Sequence, residues 1–156
     1  MITQHDVELA VAADALAISQ LSRHAIEHGL SWSWTPRRVR RSIDDAATNV
    51  VVARQLGVLL GFGIMKYRDD EAHLLLLAVQ VAHRRRGVAS ALYGWLEAAA
   101  RVAGVASIHL EARARNAGAR AFYRGQGFEE GGLRVGYYEG VEDAVRLVKR
   151  LRAHAG

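Results

Sequence analysis

Apolar and polar residues alternate at two different periods along this chain, and the switches between them outline its elements. From Ala13 to His28, the positions Leu16, Gln20, Leu21, His24 and Ala25 keep the three-to-four spacing of one helix face. Asp14 stands near the start and Gly29 follows the end, so the spacing predicts a helix. Thr35-Pro36 reads as N-cap and first position of a short arginine-rich helix reaching about Ala47. Gly87–Ala103 repeats the helical pattern through Val88, Leu92, Trp95, Leu96 and Ala99, and Gly104 closes it. Asn116–Gly125 is a shorter helix.

Strands are predicted at Val50–Arg54 and Val58–Tyr67, joined by the hairpin signal Gln55-Leu56-Gly57. Arg68-Asp69-Asp70 turns the chain into Ala72–Val81, an apolar run suited to a strand buried on both faces. Ser107–Ala112, Phe128–Val135 and Asp143–Leu151 follow, and Ile2–Leu9 is a candidate first strand. Strands interrupted by helices imply an α/β (mixed α+β) sheet covered on both faces. There is no internal repeat and only one proline, so residues 1–156 read as a single domain.

Composition narrows the chemistry. The absence of cysteine excludes a disulfide framework, a thiolate metal site and a cysteine nucleophile, and is compatible with a reducing cytosol. The first residues lack a basic stretch followed by an apolar block, and no apolar run approaches the ~20 residues that span a bilayer. The expectation is a cytoplasmic protein with no membrane partner. A formal net charge of +5 favours anionic partners. The arginines cluster at Arg37–Arg41, Arg84–Arg86 and Arg146–Arg152. The first and third clusters read as solvated basic faces; the second has a different setting.

There a buried strand from Val79 runs through His83-Arg84-Arg85-Arg86-Gly87-Val88-Ala89-Ser90 directly into a helix. A helix N-terminus offers unpaired N–H groups and the positive end of the helix dipole. Gly87 and Ala89 leave room for a bulky phosphate, and arginines add charge and forked donors. A basic strand-to-helix turn is the plainer alternative. Arg84-x-x-Gly87-x-Ala89 after a hydrophobic strand resembles the acyl-CoA signature of the GNAT acetyltransferase superfamily. A second segment, Asn116-Ala117-Gly118-Ala119-Arg120-Ala121-Phe122-Tyr123 followed by Gly127-Phe128, is similar to the other half of that family's cofactor site. Asn116 and Tyr123 are seven residues apart, about two helical turns, and so share a face. Either could be structural, Asn116 as an N-cap and Tyr123 as a core aromatic.

The resemblance spans nearly the whole chain and looks nearest to the ribosomal-protein alanine and other peptide Nα-acetyltransferases. It rests also on Glu71-Ala72, Leu110-Glu111-Ala112-Arg113, Tyr137-Tyr138 and Glu142-Asp143-Ala144. It implies a mostly antiparallel twisted sheet of six to seven strands, splayed at an acetyl-CoA site and flanked by about four helices. By the same resemblance Leu77, Ala78 and Val79 line the pantetheine, and Arg84 with the Arg85–Ser90 segment (Arg86, Gly87, Val88 and Ala89 included) cradles the pyrophosphate. Asn116 bonds the pantetheine arm, and Tyr123 protonates the departing thiolate.

Acetyl transfer to an amine also needs a proton acceptor. Glu111 is the first candidate and His73 on the neighbouring strand the second, the pair together able to order a water. The alternatives are a Glu111 paired with Arg113 or Arg115, and a His73 that caps its strand. Trp32 and Trp34, in the loop between the first two helices, and Tyr137-Tyr138 are candidate walls for the acceptor. Helix packing and an aromatic hairpin are their plainer readings. Val81 and Ala89 replace a common proline and glycine of the family; the tryptophan pair and the basic ending Val148–Arg152 depart from the alanine enzyme.

The leading expectation is therefore transfer from acetyl-CoA to a peptide or protein N-terminus by a monomer or homodimer without metal. A small-molecule amine acetyltransferase is the second reading, and a polyamine acceptor would require an acidic pocket. A non-catalytic acyl-CoA- or nucleic-acid-binding module ranks last, because no recognised nucleic-acid motif is present.

Overall fold

The computed structural model describes residues 2–84 and 86–152. Seven strands form one sheet: β1 (Val7–Leu9), β2 (Thr48–Gln55), β3 (Val58–Arg68), β4 (Glu71–Val79), β5 (Ser107–Arg113), β6 (Glu129–Tyr138) and β7 (Glu142–Arg150). Their spatial order is β1-β2-β3-β4-β5-β7-β6, and every neighbouring pair is antiparallel except β4 with β5. Helices α1 (Ala15–Ala25) and α2 (Pro36–Asp44) cover one face of β2–β4; α3 (Val88–Ala103) lies on the other, and α4 (Ala117–Gly125) joins β5 to β6.

The helices stop where local chemistry stops them. Thr35 caps α2 by accepting from the Arg38 N–H, and Pro36 follows at the first helical position. The arginine-rich helix ends at Asp44, short of Ala47, and the chain is already in β2 at Thr48. Gly104, at φ 77, receives the end of α3 and returns its N–H to Ala100 and Arg101 carbonyls. The N-terminal segment gives only a three-residue strand after a 3-10 turn at Gln4–Asp6, shorter than Ile2–Leu9.

Two apolar layers sandwich the sheet. Val88, Leu92, Leu96 and Ala100 form the buried stripe of α3, packed on Met65, Leu74 and Ile108. Gly63 makes that approach possible, since a Cβ there would lie 2.9 Å from the Leu96 side chain. On the opposite face Ile18 and Leu21 of α1 meet Val39, Phe62 and Ile64. Asp14 anchors the start of α1 through a two-pronged pair with Arg54 of β2, at 2.8 and 2.9 Å.

Two irregularities make the site. Met65 pairs with Leu74, but Ile64 pairs with Leu76, leaving Leu75 as a bulge residue in β4. Ala72 and Leu74 therefore face the α3 layer while Leu76 and Ala78 face the α1 layer, a reversal that an unbroken period of two forbids. The strand is buried on both sides, as its composition predicts, yet alternation alone does not reveal the switch. Just before the bulge, β4 and β5 part company: only Glu71–His73 pair with Ser107–His109. Beyond His73 the edge of β4 facing β5 has no ladder partner, and the two strands splay.

Candidate functional site

A cavity of about 1030 Å³ occupies the splay. Leu74–Val79 of β4 and Leu110–Arg113 of β5 form its sides, and the start of α3 closes one end. Gly87 precedes α3 in the left-handed region at φ 80, and among the described residues no side chain caps this end. The first N–H groups of α3 thus have no intrahelical partner and are open to an anion. The free edge of β4 presents main-chain groups for an amide-bearing arm, lined by half-buried Leu77. A phosphate end, a polar strand edge and an apolar channel together fit the chemistry of a pantetheine nucleotide.

The predicted residues divide. Leu77, Ala78, Val79, Arg84, Gly87, Val88, Ala89, Ser90, Asn116 and Tyr123 all line this cavity. Arg86 does not: it turns to Gln55 and His83, with bonds of 2.9 Å to each. Arg85 lies outside the described residues. Asn116 caps α4 by accepting from the Ala119 N–H at 3.0 Å. Tyr123 packs edge-on against Phe122 and Phe128, and burial first, then the nearby Tyr138, raises its phenol above the ordinary value. It therefore stays a proton donor at neutral pH. Both residues thus fill the structural roles open to them and also line the cavity.

Across the splay His73 and Glu111 meet. His73 Nε2 donates to Glu111 Oε2 at 2.6 Å, and both side chains line the cavity. Burial alone would raise the Glu111 pKa; the His73 bond and charge, with Arg134 and Arg146, outweigh it and hold the carboxyl below its usual range. Neither Arg113 nor Arg115 takes Glu111. Both turn to Glu142, Arg113 at 2.8 Å.

The wall facing this pair is built by residues that periodicity did not single out. Buried Glu27 accepts from Ser22 Oγ, Ser33 N and Oγ, and Trp34 N at 2.7–3.0 Å, folding the 26–34 loop around one carboxylate. Arg113 Nη2 donates to the Ile26 and His28 carbonyls at 2.6 and 2.8 Å, tying that loop to β5. Ser31 N donates to Glu139 at 3.0 Å, linking the loop to the β6–β7 turn. Trp34 is buried against α1 with the Arg38 guanidinium 3.8 Å above its ring, and lines the cavity beside Tyr137 and Tyr138. Burial, ahead of Tyr137 and Glu111, pushes the Tyr138 phenol up to about 12. Trp32 stands on the outer side of the loop and does not line this cavity. An acidic residue just past a helix end, followed by a Ser/Trp-rich loop, was the available sign of the Glu27 anchor.

No group of three or more His, Cys, Asp or Glu side chains suited to a metal occurs among the described residues. None of their helices is long and apolar enough to cross a membrane.

Comparison with known proteins places this geometry. Residues 17–128 match the model of the acetyltransferase (GNAT) family. A ribosomal-protein alanine N-acetyltransferase of Escherichia coli is 39% identical over 94 residues, covering 58% of this chain and 64% of the relative, a little under two thirds of its length. The crystal structure of the Escherichia coli ribosomal-protein alanine N-acetyltransferase superposes with a TM-score of 0.82 at 29% identity, over 96% of this chain and 95% of that one. Ard1 from Thermoplasma volcanium shares the fold, with a TM-score of 0.81 at 23% identity over 94% and 97% of the two chains.

Proposed function

Because the chain belongs to the GNAT acetyltransferase family, we propose that it is an acetyl-CoA-dependent N-acetyltransferase acting on the α-amine of a peptide or protein. Acetyl-CoA supplies the activated acetyl group as a thioester. Around it, the open start of α3 with Arg84 holds the pyrophosphate, the free edge of β4 at Leu77–Val79 holds the pantetheine, and Asn116 borders that arm. Glu111 receives the proton that the amine nitrogen loses as its bond to the acetyl carbon forms. Tyr123 keeps a proton at Oη for the sulfur as the C–S bond breaks.

The observation that carries the choice of amine is the Glu111 carboxylate, hydrogen-bonded to His73 at 2.6 Å on the cavity wall. A carboxylate is too weak a base to deprotonate an ammonium ion beforehand; it takes the proton only once attack has made the nitrogen acidic. The acceptor must then arrive neutral. At pH 7 an α-amine of pKa ~7.8 is neutral roughly 300 times more often than a lysine amine of pKa ~10.4. The lining also argues against a polyamine. Glu27 is saturated by loop hydrogen bonds, and Arg38, Arg84 and Arg113 offset Glu111 and Glu139.

The test is thiol release from acetyl-CoA against a panel of N-terminal peptides and small amines, with the product mapped by mass spectrometry. Label on the α-amine, with kcat/KM rising between pH 6 and 8 along the acceptor's own titration, is expected. Turnover confined to small amines would sink the peptide reading.

A further inference from the structure

Loop 26–34 has two sides. Leu30, Ser31, Ser33 and Trp34 line the main cavity, whereas Trp32 lines a second groove of about 540 Å³ on the far side. Its floor is apolar, from Leu21, Leu59 and Trp32, a residue 36% exposed. Arg23, His24, Gln20 and Gln80 supply its polar groups, and no carboxylate among the described residues lines it. The Arg23 guanidinium sits 5.0 Å from the centre of the Trp32 ring. That stack fixes the cation while leaving N–H donors at its edge free. Arg23 has no carboxylate partner among the described residues, in contrast to Arg54, Arg113 and Arg120. The same holds for Arg37, Arg40 and Arg41 of α2, which packs beside α1.

We propose that this groove is a second subsite for a polypeptide acceptor, binding an acidic side chain downstream of the amine that enters the main cavity. The inference rests on the peptide reading of the main site. Charge complementarity names the occupant: an unpaired, preorganised arginine over an apolar floor suits a carboxylate carried on a chain with some apolar surface. The shared loop sets the spacing. An extended chain advances about 3.3–3.6 Å per residue, so crossing a wall one loop thick takes roughly three to five residues.

The experiment uses the full chain and acetyl-CoA with octapeptides that share their first two residues and carry two Glu, two Lys or two Ala at positions four and five. The acidic peptide is expected to show a KM roughly ten-fold below the lysine peptide at equal kcat. Arg23→Glu reverses that order, which a merely structural role for Arg23 would not do, since it would weaken both peptides alike. Equal KM values, or loss without reversal, would overturn the proposal. Should no peptide be acetylated while small amines are, the peptide reading fails. The groove is then tested separately by tryptophan fluorescence titration with the acidic octapeptide, comparing the unaltered chain with Trp32→Phe. Saturable quenching lost in Trp32→Phe supports the groove, and no quenching at millimolar peptide overturns it. A short RNA oligonucleotide that competes as well as the acidic peptide would also overturn the acidic-peptide assignment.

Discussion

The two halves of the sheet are built for different tasks. Strands β2–β4 pair over long registers and are covered on both faces, with Val51, Val52, Phe62 and Ile64 entirely buried. Strands β5, β7 and β6 bury Ile108, Leu110 and Leu147 beneath α3 and α4, but their other face carries His109, Glu111, Arg113, Arg134 and Arg146. Arg146 Nη2 donates there to His109 Nδ1 at 2.8 Å. The first half is a dry scaffold; the second holds charged groups on a rigid backbone. The cavity lies at their seam, because two strands that stop pairing leave both an opening and unpaired main chain. The Leu75 bulge follows two residues after the last β4–β5 pair, at the start of the opening.

This division can be broken from either side. The largest effect on stability is expected from Phe62→Ala in the scaffold, a loss of about 3–5 kcal/mol measured by denaturant unfolding. The surviving folded fraction should keep its catalytic constants. A dead but stable Phe62→Ala enzyme would refute the separation. In the other half Glu111→Gln is expected to cut kcat about 100-fold or more, with the KM for acetyl-CoA nearly unchanged. Full activity at neutral pH would remove Glu111 from its role.

Acid sharpens the contrast further. Asp14 has its pKa lowered, first by the Arg54 hydrogen bond, and Glu111 is lowered as described. A carboxyl depressed in the folded state contributes stability above its unfolded pKa of about 4, and that contribution is lost as pH falls through the folded value. Melting temperature should therefore fall steeply from pH 5 downward, and Asp14→Asn should flatten the slope at the cost of stability at pH 7. An unchanged slope would show the pair to be idle. The smallest effect is expected at the β2–β3 turn. Leu56, 99% exposed, sits at φ 51 beside Gly57 at φ 77. Leu56→Asn suits that turn better and should stabilise by about 0.5–1 kcal/mol, seen as a small rise in Tm without change in turnover.

Helix α3, the cap at Thr35, the hairpin at Leu56-Gly57 and the Arg84-x-x-Gly87-x-Ala89 motif were legible in the chain because each depends on neighbours within a few residues. Periodicity and turn chemistry are local, so they survive without the fold. The motif at Val79–Ala89 also foretold an uncapped helix start at the cavity, though not that Arg86 would turn away to Gln55. Tertiary structure alone decided the Leu75 bulge, the 2.6 Å union of His73 with Glu111, the saturation of Glu27 and the outward position of Trp32. Each depends on which distant strand or loop arrives opposite, and on whether burial or a charged partner wins once it does. Residues 38 apart cannot announce a shared hydrogen bond through their spacing. The sequence by itself determined the elements and the glycine-containing turn into α3, while the splay that makes a cavity beside them came from where β4 stops pairing with β5, a long-range contact that no local pattern encodes.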